Sequence, residues 1–343
     1  RKRFNFSTDD SADYSIEIDP REVRPNTLKL LREIGFNRTS FGVQDLNEKV
    51  QQAVNRIQPE SLIRKVMFEA RELGFRSINI DLIYGLPHQT QETFAETLDV
   101  IIDMSPDRLS VFNYAHLPER FKPQRRIKEE DLPSPEEKLA ILGNCITTLT
   151  EVGYHYVGMD HFAKPDDELS RAQGAKELHR NFQGYTTHGD CDLIGFGVSS
   201  ISQISDCYLQ NSPDINVYED AINNNQFPVV KLITTDTDDL IRRQVIMELL
   251  CHDQMIFAEL DTAFSIDSQT YFADELSQLS PMIEDELLEV STEGIHITEK
   301  GRLLVRNACM VFDTYLNSNI IQTYSASADA STPVNRPRFS KAI

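Results

Sequence analysis

Residues 60–87, ESLIRKVMFEARELGFRSINIDLIYGLP, form one complete helix-to-strand unit and decide the fold class. Four apolar residues recur at helical spacing while charged residues occupy the other positions, so the helix covers a sheet on one side only (Leu62, Val66, Ala70, Leu73). Gly74 can adopt the left-handed conformation that ends a helix. The apolar run Ser77–Tyr84 then predicts a buried strand.

The aliphatic–glycine–aromatic sequence Leu73-Gly74-Phe75, which joins this helix to its strand, recurs at Ile34-Gly35-Phe36 and Val152-Gly153-Tyr154. We predict strands at about 14–19, 38–44, 77–84, 108–114 and 154–160. Helices between them imply right-handed parallel crossovers, and hence a doubly wound sheet or a barrel. No Gly-x-Gly-x-x-Gly or Walker loop follows these strands. The sequence therefore favours an α/β fold built as a TIM-like barrel.

From about residue 231 the alternation of predicted strands and helices gives way to helices with one hairpin. A capped helix begins near Asp236, a hairpin is predicted over 287–297, and another helix over 298–312. Helices with a hairpin resemble a winged helix. We predict a barrel with its extension over 1–230, a helical winged-helix-like domain over 231–320 and an irregular tail over 321–343.

Charge and cysteine usage narrow the class of protein. The net charge of −20 over 343 residues counts against general nucleic-acid binding and requires local cations for any anionic ligand. Five widely spaced cysteines do not form a disulfide framework. No apolar run approaches the roughly 18 residues of a membrane span. We expect a cytoplasmic protein.

Polar residues occur at or near the predicted strand ends, where barrels carry their chemistry (Glu17, Gln44, Asp81, Asn113, Asp160, His161). Burying such groups is costly unless they bind something or one another. Glu17, Gln44 and Asp81 are the strongest candidates, and a ribose is a fitting ligand because carboxylates accept hydrogen bonds from vicinal hydroxyls. The alternative is that one or two of them cap helices or lie in exposed loops.

Five cations fall within nine residues of this acidic chain (Arg120, Lys122, Arg125, Arg126, Lys128). They form either a solvated face, since Glu129 and Glu130 follow directly, or a gate for a polycarboxylate.

Histidines and one cysteine are weaker candidates. His116, His161 and His179 are each a general acid or base or a structural side chain. His188 and Cys191 have no second pair of ligands nearby in the sequence, which disfavours a metal site.

Long blocks of this chain resemble the oxygen-independent coproporphyrinogen III oxidases, which are bacterial radical S-adenosylmethionine (SAM) enzymes. The similarity rests on Tyr14–Pro20, Phe41–Asp45, Asp81–Pro87, Val111–His116, Gly158–Phe162, His179–Thr187 and Lys300–Asn307, and so covers almost the whole chain.

The resemblance implies SAM-contacting residues for two bound molecules. Glu17 would hold the ribose of one molecule with Ile201 beside it, while Gln44, Arg56, Asp81 and Ala115 would contact the second. The resemblance leaves the catalytic residues unknown.

The family's Cys-x-x-x-Cys-x-x-Cys loop, which ligates a [4Fe-4S] cluster, is absent from this sequence. No metal ligand is therefore predicted in this chain, and we expect it to be inactive alone, with the cluster cysteines upstream of Arg1. The resemblance thus implies that the TIM-like barrel over 1–230 is incomplete (partial) and that the winged-helix-like domain over 231–320 is a lid.

The implied reaction is oxidative decarboxylation of the ring A and B propionates of coproporphyrinogen III to vinyl groups by a 5′-deoxyadenosyl radical, giving protoporphyrinogen IX for haem. Substrate contacts are hypothesised at Arg120, Lys122, Arg125 and Arg126. The resemblance implies a monomer with an unidentified electron donor and acceptor. The net charge of −20 and the lack of a long apolar run predict no nucleic-acid or membrane partner.

Three alternatives remain from the sequence: a haem-binding chaperone of the same superfamily, a cluster-free inactive relative, and a winged-helix regulator. The segment Ile241–Cys251 resembles the oxidase, and the net charge of −20 counts against the regulator.

Overall fold

A computed structural model describes residues 4–7 and 12–316 of the chain. The tail predicted over 321–343 lies outside the described residues. The chain divides into two compact units, one through Arg171 and a second from Ala172. The boundaries predicted at residues 230 and 320 stay a prediction. Within the described residues, no helix is both long enough and apolar enough to span a bilayer.

The first unit alternates strands and helices. The elements are β1 (Ser15–Ile18), α1 (Thr27–Ile34), β2 (Arg38–Gln44), α2 (Glu48–Ala53), α3 (Glu60–Glu72), β3 (Ser77–Tyr84), α4 (Gln91–Met104), β4 (Arg108–Asn113), α5 (Pro135–Glu151), β5 (His155–Gly158), β6 (His161–Ala163) and α6 (Glu168–Gly174), with α6 crossing the boundary between the units. Single 3₁₀ turns occur at Pro20–Glu22, Lys122–Arg126 and Glu129–Asp131.

The six strands form one sheet in the order β1-β2-β3-β4-β6-β5. Strands β1 to β4 are parallel neighbours, which confirms the mixed α/β fold with a parallel sheet. The expectation of five successive parallel strands is corrected at the end of the series. The short β6 runs antiparallel between β4 and β5, because the chain turns back at Asp160 instead of crossing over.

The two faces of the parallel strands differ sharply. One face carries fully buried apolar side chains (Phe41, Val43, Ile78, Ile80, Leu82, Leu109, Val111), so hydrophobic burial drives its packing. Alternate positions place polar residues on the other face (Glu17, Ser40, Asn79, Asp81, Ser110). A doubly wound sheet would bury apolar residues on both faces, whereas a polar second face suits a barrel interior.

Ion pairs connect residues at the amino end of the strands. Arg38 at the start of β2 pairs with Asp13 and Glu168, and Arg108 at the start of β4 pairs with Asp167 at 2.9 Å and Glu168 at 2.8 Å. Glu168 thus bridges two arginines with little exposure, and these ion pairs stabilise the amino edge of the sheet.

The second unit contains three small sheets among helices. Its elements are β7 (His179–Asn181), β8 (Gly184–Thr186), β9 (Ile201–Ile204), β10 (Cys207–Asn211), α7 (Ile215–Asn223), β11 (Val229–Thr234), α8 (Thr237–His252), β12 (Gln254–Ile256), α9 (Phe257–Phe264), α10 (Ser268–Tyr271), α11 (Ala273–Gln278), α12 (Ser280–Glu284), β13 (Leu288–Val290), β14 (Gly294–Ile297) and α13 (Val305–Val311), with 3₁₀ turns at Gly301–Leu304 and Thr314–Leu316.

The predicted C-terminal features are present. Asp236 caps α8 in a capping box with Asp239, and β13 pairs with β14 as an antiparallel hairpin. Strand β12 adds to that hairpin, which sequence patterning did not predict. The last predicted helix begins as a 3₁₀ turn at Gly301 and becomes α-helical at Val305.

Candidate functional site

The carboxyl ends of four parallel strands meet at one edge of the sheet. Glu17, Gln44, Asp81 and Asn113 lie at or near these ends, as the sequence predicted. Asp160 lies in the turn from β5 to β6, and His161 begins β6. Ligands of open and closed parallel sheets bind at this edge, because loops diverge there and leave a crevice.

A backbone irregularity shapes the end of β2. The register with β3 shifts between Gly42 and Gln44, and Gln44 adopts a left-handed conformation with φ 69°. Such a conformation is costly for a residue with a Cβ and is often retained at functional sites. The Oε1 atom of Gln44 is buried and accepts no hydrogen bond from any described residue.

Arg56 approaches the same strand end from the loop after α2. Its Nη2 donates to the carbonyl oxygen of Gly42 at 2.7 Å, and its Nη1 lies 3.1 Å from Oδ2 of Asp19. Hydrogen bonds from Arg21, together with the charge of Arg56, lower the pKa of Asp19 to about 2. The Nε of Arg56 is buried without a partner among the described residues. The guanidinium is thus held in place with one donor left over.

Gly42 leaves the space between these two side chains open. A Cβ at this position would lie 2.9 Å from Nε2 of Gln44 and 3.1 Å from Nη2 of Arg56. The glycine, the glutamine and the arginine therefore form a cradle whose leftover hydrogen-bonding atoms are one acceptor, Oε1 of Gln44, and one donor, Nε of Arg56.

Asp81 lies on the polar face of β3 within a hydrogen-bond network. Ser40 donates to its Oδ2 at 2.8 Å, and the amide of Asn79 donates to its Oδ1 at 2.7 Å. Burial raises the pKa of Asp81, while hydrogen bonds from Ser40, Ser110 and Asn79 oppose the rise. This is the kind of environment in which a carboxyl group is expected at a binding site.

Two further predicted contacts in this unit are less enclosed. Glu17 is exposed on the polar face of β1, opposite Ser40 in register. Ala115 is half-buried just beyond β4, and its carbonyl accepts a hydrogen bond from Nε2 of Gln124 at 3.0 Å. Ile201 begins β9 in the second unit, so its proposed role stays a prediction.

The cationic segment, residues 120–128, begins seven residues after β4 and includes an exposed 3₁₀ turn. Gln124 ties it to the strand end through Ala115 and through the backbone N–H of Leu117 at 2.6 Å. In the described part of the chain, Lys128 pairs with Glu130, whereas the other four cations form no ion pair (Arg120, Lys122, Arg125, Arg126). Their charges remain available to a ligand, which favours the binding interpretation without establishing it.

The histidine candidates differ in surroundings. His116 lies 3.3 Å from the hydroxyl of Tyr114 through Nδ1, and His161 stacks edge-on against Phe112 with centroids 5.9 Å apart. His179 packs directly against Gly189, where a Cβ would fall 2.3 Å from the imidazole. No contact assigns any of them an acid–base role, which stays a hypothesis.

Several residues of the site were missed from the sequence. Asp19, Gly42 and Asn79 do not stand out in a linear pattern, although Asn79 precedes Asp81 by two and therefore shares its face of β3. Lys138 of α5 is half-buried with its stem near Gly85, and desolvation lowers the pKa of its ammonium group. A helix-to-loop contact of this kind has no signal in sequence spacing.

Comparison with known proteins defines the class. The fold is that of a radical SAM protein, and the model of the Radical SAM superfamily matches residues 4–101. The HemN C-terminal domain model matches residues 236–304. The chain belongs to the oxygen-independent coproporphyrinogen III oxidase family.

Individual relatives carry that assignment. The oxygen-independent coproporphyrinogen III oxidase of Pseudomonas aeruginosa is 52% identical over 343 residues, which is 100% of this chain and 71% of that protein. The Escherichia coli oxidase is 52% identical over 92% of this chain and 69% of its own. A solved structure described as "Coproporphyrinogen III oxidase (HemN) from Escherichia coli is a Radical SAM enzyme" superposes with a TM-score of 0.88, covering 92% of this chain and 72% of that one.

The family's two cofactors fit this chain unequally. SAM carries a carboxylate, an amine and ribose hydroxyls, which match a guanidinium with a free Nε, a buried unpaired Oε1 and a desolvated carboxyl. A [4Fe-4S] cluster needs clustered thiolates. The five cysteines are scattered, and within residues 4–7 and 12–316 no three potential ligands come together to hold a metal. The residues present therefore fit SAM and do not fit the cluster.

Proposed function

We propose that this chain carries the SAM and substrate sites of an oxygen-independent coproporphyrinogen III oxidase. The reaction is oxidative decarboxylation of the ring A and B propionates of coproporphyrinogen III to vinyl groups, which gives protoporphyrinogen IX in haem biosynthesis. One observation carries the proposal: buried, unpaired polar atoms of Gln44 and Arg56 lie at one strand end in a chain that is 52% identical throughout to an enzyme of that name.

Each residue of the edge has a role in the proposed SAM sites. Arg56 pairs with the carboxylate of one SAM molecule because its guanidinium is preset by Asp19 and Gly42. Gln44 accepts a hydrogen bond from the same molecule, Asp81 accepts from its ribose hydroxyls, and Ala115 packs against it. Glu17 contacts a second SAM molecule, while the proposed SAM contact of Ile201, in the second unit, rests on the family resemblance alone. When cleaved, SAM supplies the radical that removes a hydrogen from the substrate.

The substrate is a tetracarboxylate, so it needs cations that overcome a net charge of −20. Arg120, Lys122, Arg125 and Arg126 are proposed to hold its propionates. They lie just beyond β4 and have no ion-pair partner among the described residues. Gln124 fixes their segment relative to Ala115, so the substrate carboxylates and SAM meet near one strand end.

The chain by itself is proposed to be inactive, because its residues do not supply the thiolates of the cluster. We further propose a monomer that works in the cytoplasm with a separate electron donor and acceptor. Five free thiols suit a reducing compartment.

The experiment is a fluorescence titration with coproporphyrin III, the stable oxidised form of the substrate. The Arg125→Glu/Arg126→Glu variant is expected to bind at least tenfold more weakly, since each reversal replaces an attraction with a repulsion. Lys29→Glu/Lys65→Glu on α1 and α3 makes the same change in net charge at exposed positions and serves as the control. Equal affinity of the wild type and the Arg125/Arg126 variant would remove the substrate assignment.

Haem is titrated in parallel, because a haem-binding chaperone is the competing function. Tight stoichiometric haem binding, with weak coproporphyrin binding, would favour the chaperone over the oxidase.

A further inference from the structure

Asn79 is the centre of a hydrogen-bond network on the polar face of the sheet. Its Nδ2 lies 2.7 Å from Oδ1 of Asp81, 2.9 Å from Oγ of Ser40 and 3.2 Å from Oγ of Ser110. Its Oδ1 accepts from Ser110 at 3.3 Å. The opposite amide orientation would place Oδ1 against the Asp81 carboxylate, so the network determines which way the amide points.

The sheet register builds this network. Ser40 of β2 is the direct partner of Asn79, and Ser110 of β4 is the direct partner of Asp81. Asn79 and Asp81 share a face because they are two residues apart on one strand. Three strands therefore converge on a single carboxyl group, and a slip of one residue in any of them would remove its contact.

We propose that Asn79 is a positioning residue of this site, which holds the Asp81 carboxyl in one orientation and in its ionised form for a vicinal diol. The inference rests on the proposed function only in identifying that diol as the ribose of SAM. Asn79 makes no contact with the reacting atoms in this account and acts through Asp81.

The carboxyl group of Asp81 keeps acceptor positions for such a ligand. Asn79 occupies one acceptor position on Oδ1 and Ser40 occupies one on Oδ2. The single hydroxyl hydrogen of Ser110 goes either to the carboxyl group or to Oδ1 of Asn79. A carboxylate has about four acceptor positions, so two remain free when Ser110 donates to Asn79. Two adjacent hydroxyls can then donate to the two oxygens, provided that the carboxyl group does not rotate.

Among the residues that the structure describes, the groups that oppose the effect of burial at Asp81 are uncharged. Ser40, Asn79 and Ser110 face it from β2, β3 and β4, and Gly42, its register partner on β2, has no side chain. Removing Asn79 takes away a donor to the ionised form, so the carboxyl group would protonate at a higher pH and rotate more freely.

The test compares Asn79→Ala with Asn223→Ala, an exposed asparagine of α7 that serves as the control. The pH titration of Asp81 is followed by carboxyl ¹³C NMR of aspartate-labelled protein, with Asp81→Asn identifying the signal. Calorimetry with SAM gives the affinity. For Asn79→Ala we expect the titration to move to higher pH and SAM to bind about tenfold more weakly, which is the usual weight of a charge-assisted hydrogen bond.

Asn79→Asp keeps the side-chain volume and carries the test if the alanine variant does not fold. It places a second carboxylate beside Asp81, so the titration of Asp81 is again expected to move to higher pH. An unchanged Asp81 titration in both variants, even with a lower melting temperature, would overturn the proposal. If the Asp81 titration shifts in Asn79→Ala but the wild-type protein binds no SAM, the role of Asn79 is supported and the proposed function is contradicted.

Discussion

Asp81 occupies an environment that raises the pKa of its carboxyl group through burial, while hydrogen bonds from the neutral side chains of Ser40, Ser110 and Asn79 oppose the rise. Because the folded-state pKa is raised, the ionised carboxyl costs stability at neutral pH. This cost is absent below the unfolded-state pKa of about 3.9, grows as the pH rises from there to the folded-state pKa, and is present in full above it.

Asp81→Asn is therefore expected to stabilise the protein by about 1 kcal/mol at pH 7, because the amide can still accept from Asn79 and bond to Ser40 without charge burial. The gain should vanish near pH 3.5, where the wild-type carboxyl is protonated as well. Urea unfolding of the wild type and the variant at pH 7 and pH 3.5 measures the difference in unfolding free energy at each pH. A loss of stability at pH 7 would show that the ionised form is favoured by the fold.

Gly42→Ala tests the cradle. The added methyl would press on the ends of the Gln44 and Arg56 side chains, which can shift at little cost in stability. We expect SAM affinity to fall severalfold while the melting temperature changes little. Gly143→Ala in α5 is the matched control, because no atom lies within 4 Å of its added Cβ and alanine favours helix. Equal SAM binding by Gly42→Ala and wild type would exclude the cradle as a ligand site.

Residue-scale reasoning from the sequence found Gln44 and Asp81 because a polar group at a strand end is locally visible. The pairing of Arg56 with Asp19 was not predictable in this way. It joins two loops whose approach depends on the bulge at Gly42 and Gln44 and on the path of α2, and neither has a spacing rule.

At the scale of elements, the amino edge of the sheet depends on ion pairs with little exposure. Glu168 pairs with both Arg38 and Arg108, whose side chains are 10% and 18% exposed. Asp167 and Glu168 together outweigh the effect of burial and raise the pKa of Arg108. Removing Glu168 leaves each of these little-exposed arginines with one carboxylate partner instead of two, Asp13 for Arg38 and Asp167 for Arg108.

Glu168→Gln is accordingly expected to destabilise the protein by about 2–3 kcal/mol. Asp103→Asn is the control, since Asp103 pairs with Arg64 at 2.7 Å but is 71% exposed, and its loss should cost less than about 0.5 kcal/mol. Chemical unfolding of both variants makes the comparison. Similar losses for the two variants would mean that the ion pairs of this edge are no stronger than surface pairs.

Long elements with strong periodicity were predictable, and short ones were not. Strands β1 to β4 and helix α3 follow from apolar patterns, with glycines Gly35, Gly74 and Gly85 beside β2, α3 and β3, and the β13–β14 hairpin follows from its turn at Thr292–Gly294. Strand β6 has only three residues, and the sheet of β9 to β11 has partly exposed strands of mixed polarity. Their pairing is decided by tertiary contacts rather than by local pattern.

At the scale of the molecule, the described residues lack the clustered cysteines that hold the [4Fe-4S] cluster of this family. Anaerobic reconstitution with iron and sulfide is expected to yield no stable absorbance of a four-iron cluster, because the five cysteines do not come together in the described residues. Added peptide containing Cys-x-x-x-Cys-x-x-Cys is the positive control for the procedure. A stable four-iron spectrum from this chain alone would contradict the proposed inactivity.

The carboxyl edge of the parallel sheet is proposed to bind SAM through Gln44, Arg56 and Asp81. The most direct measurement is calorimetric titration of the chain with SAM, beside Arg56→Met and the exposed control Arg24→Met. We expect saturable binding that weakens at least tenfold in Arg56→Met and is unchanged in Arg24→Met. No saturable binding, or equal affinity of wild type and Arg56→Met, would contradict SAM binding at this edge.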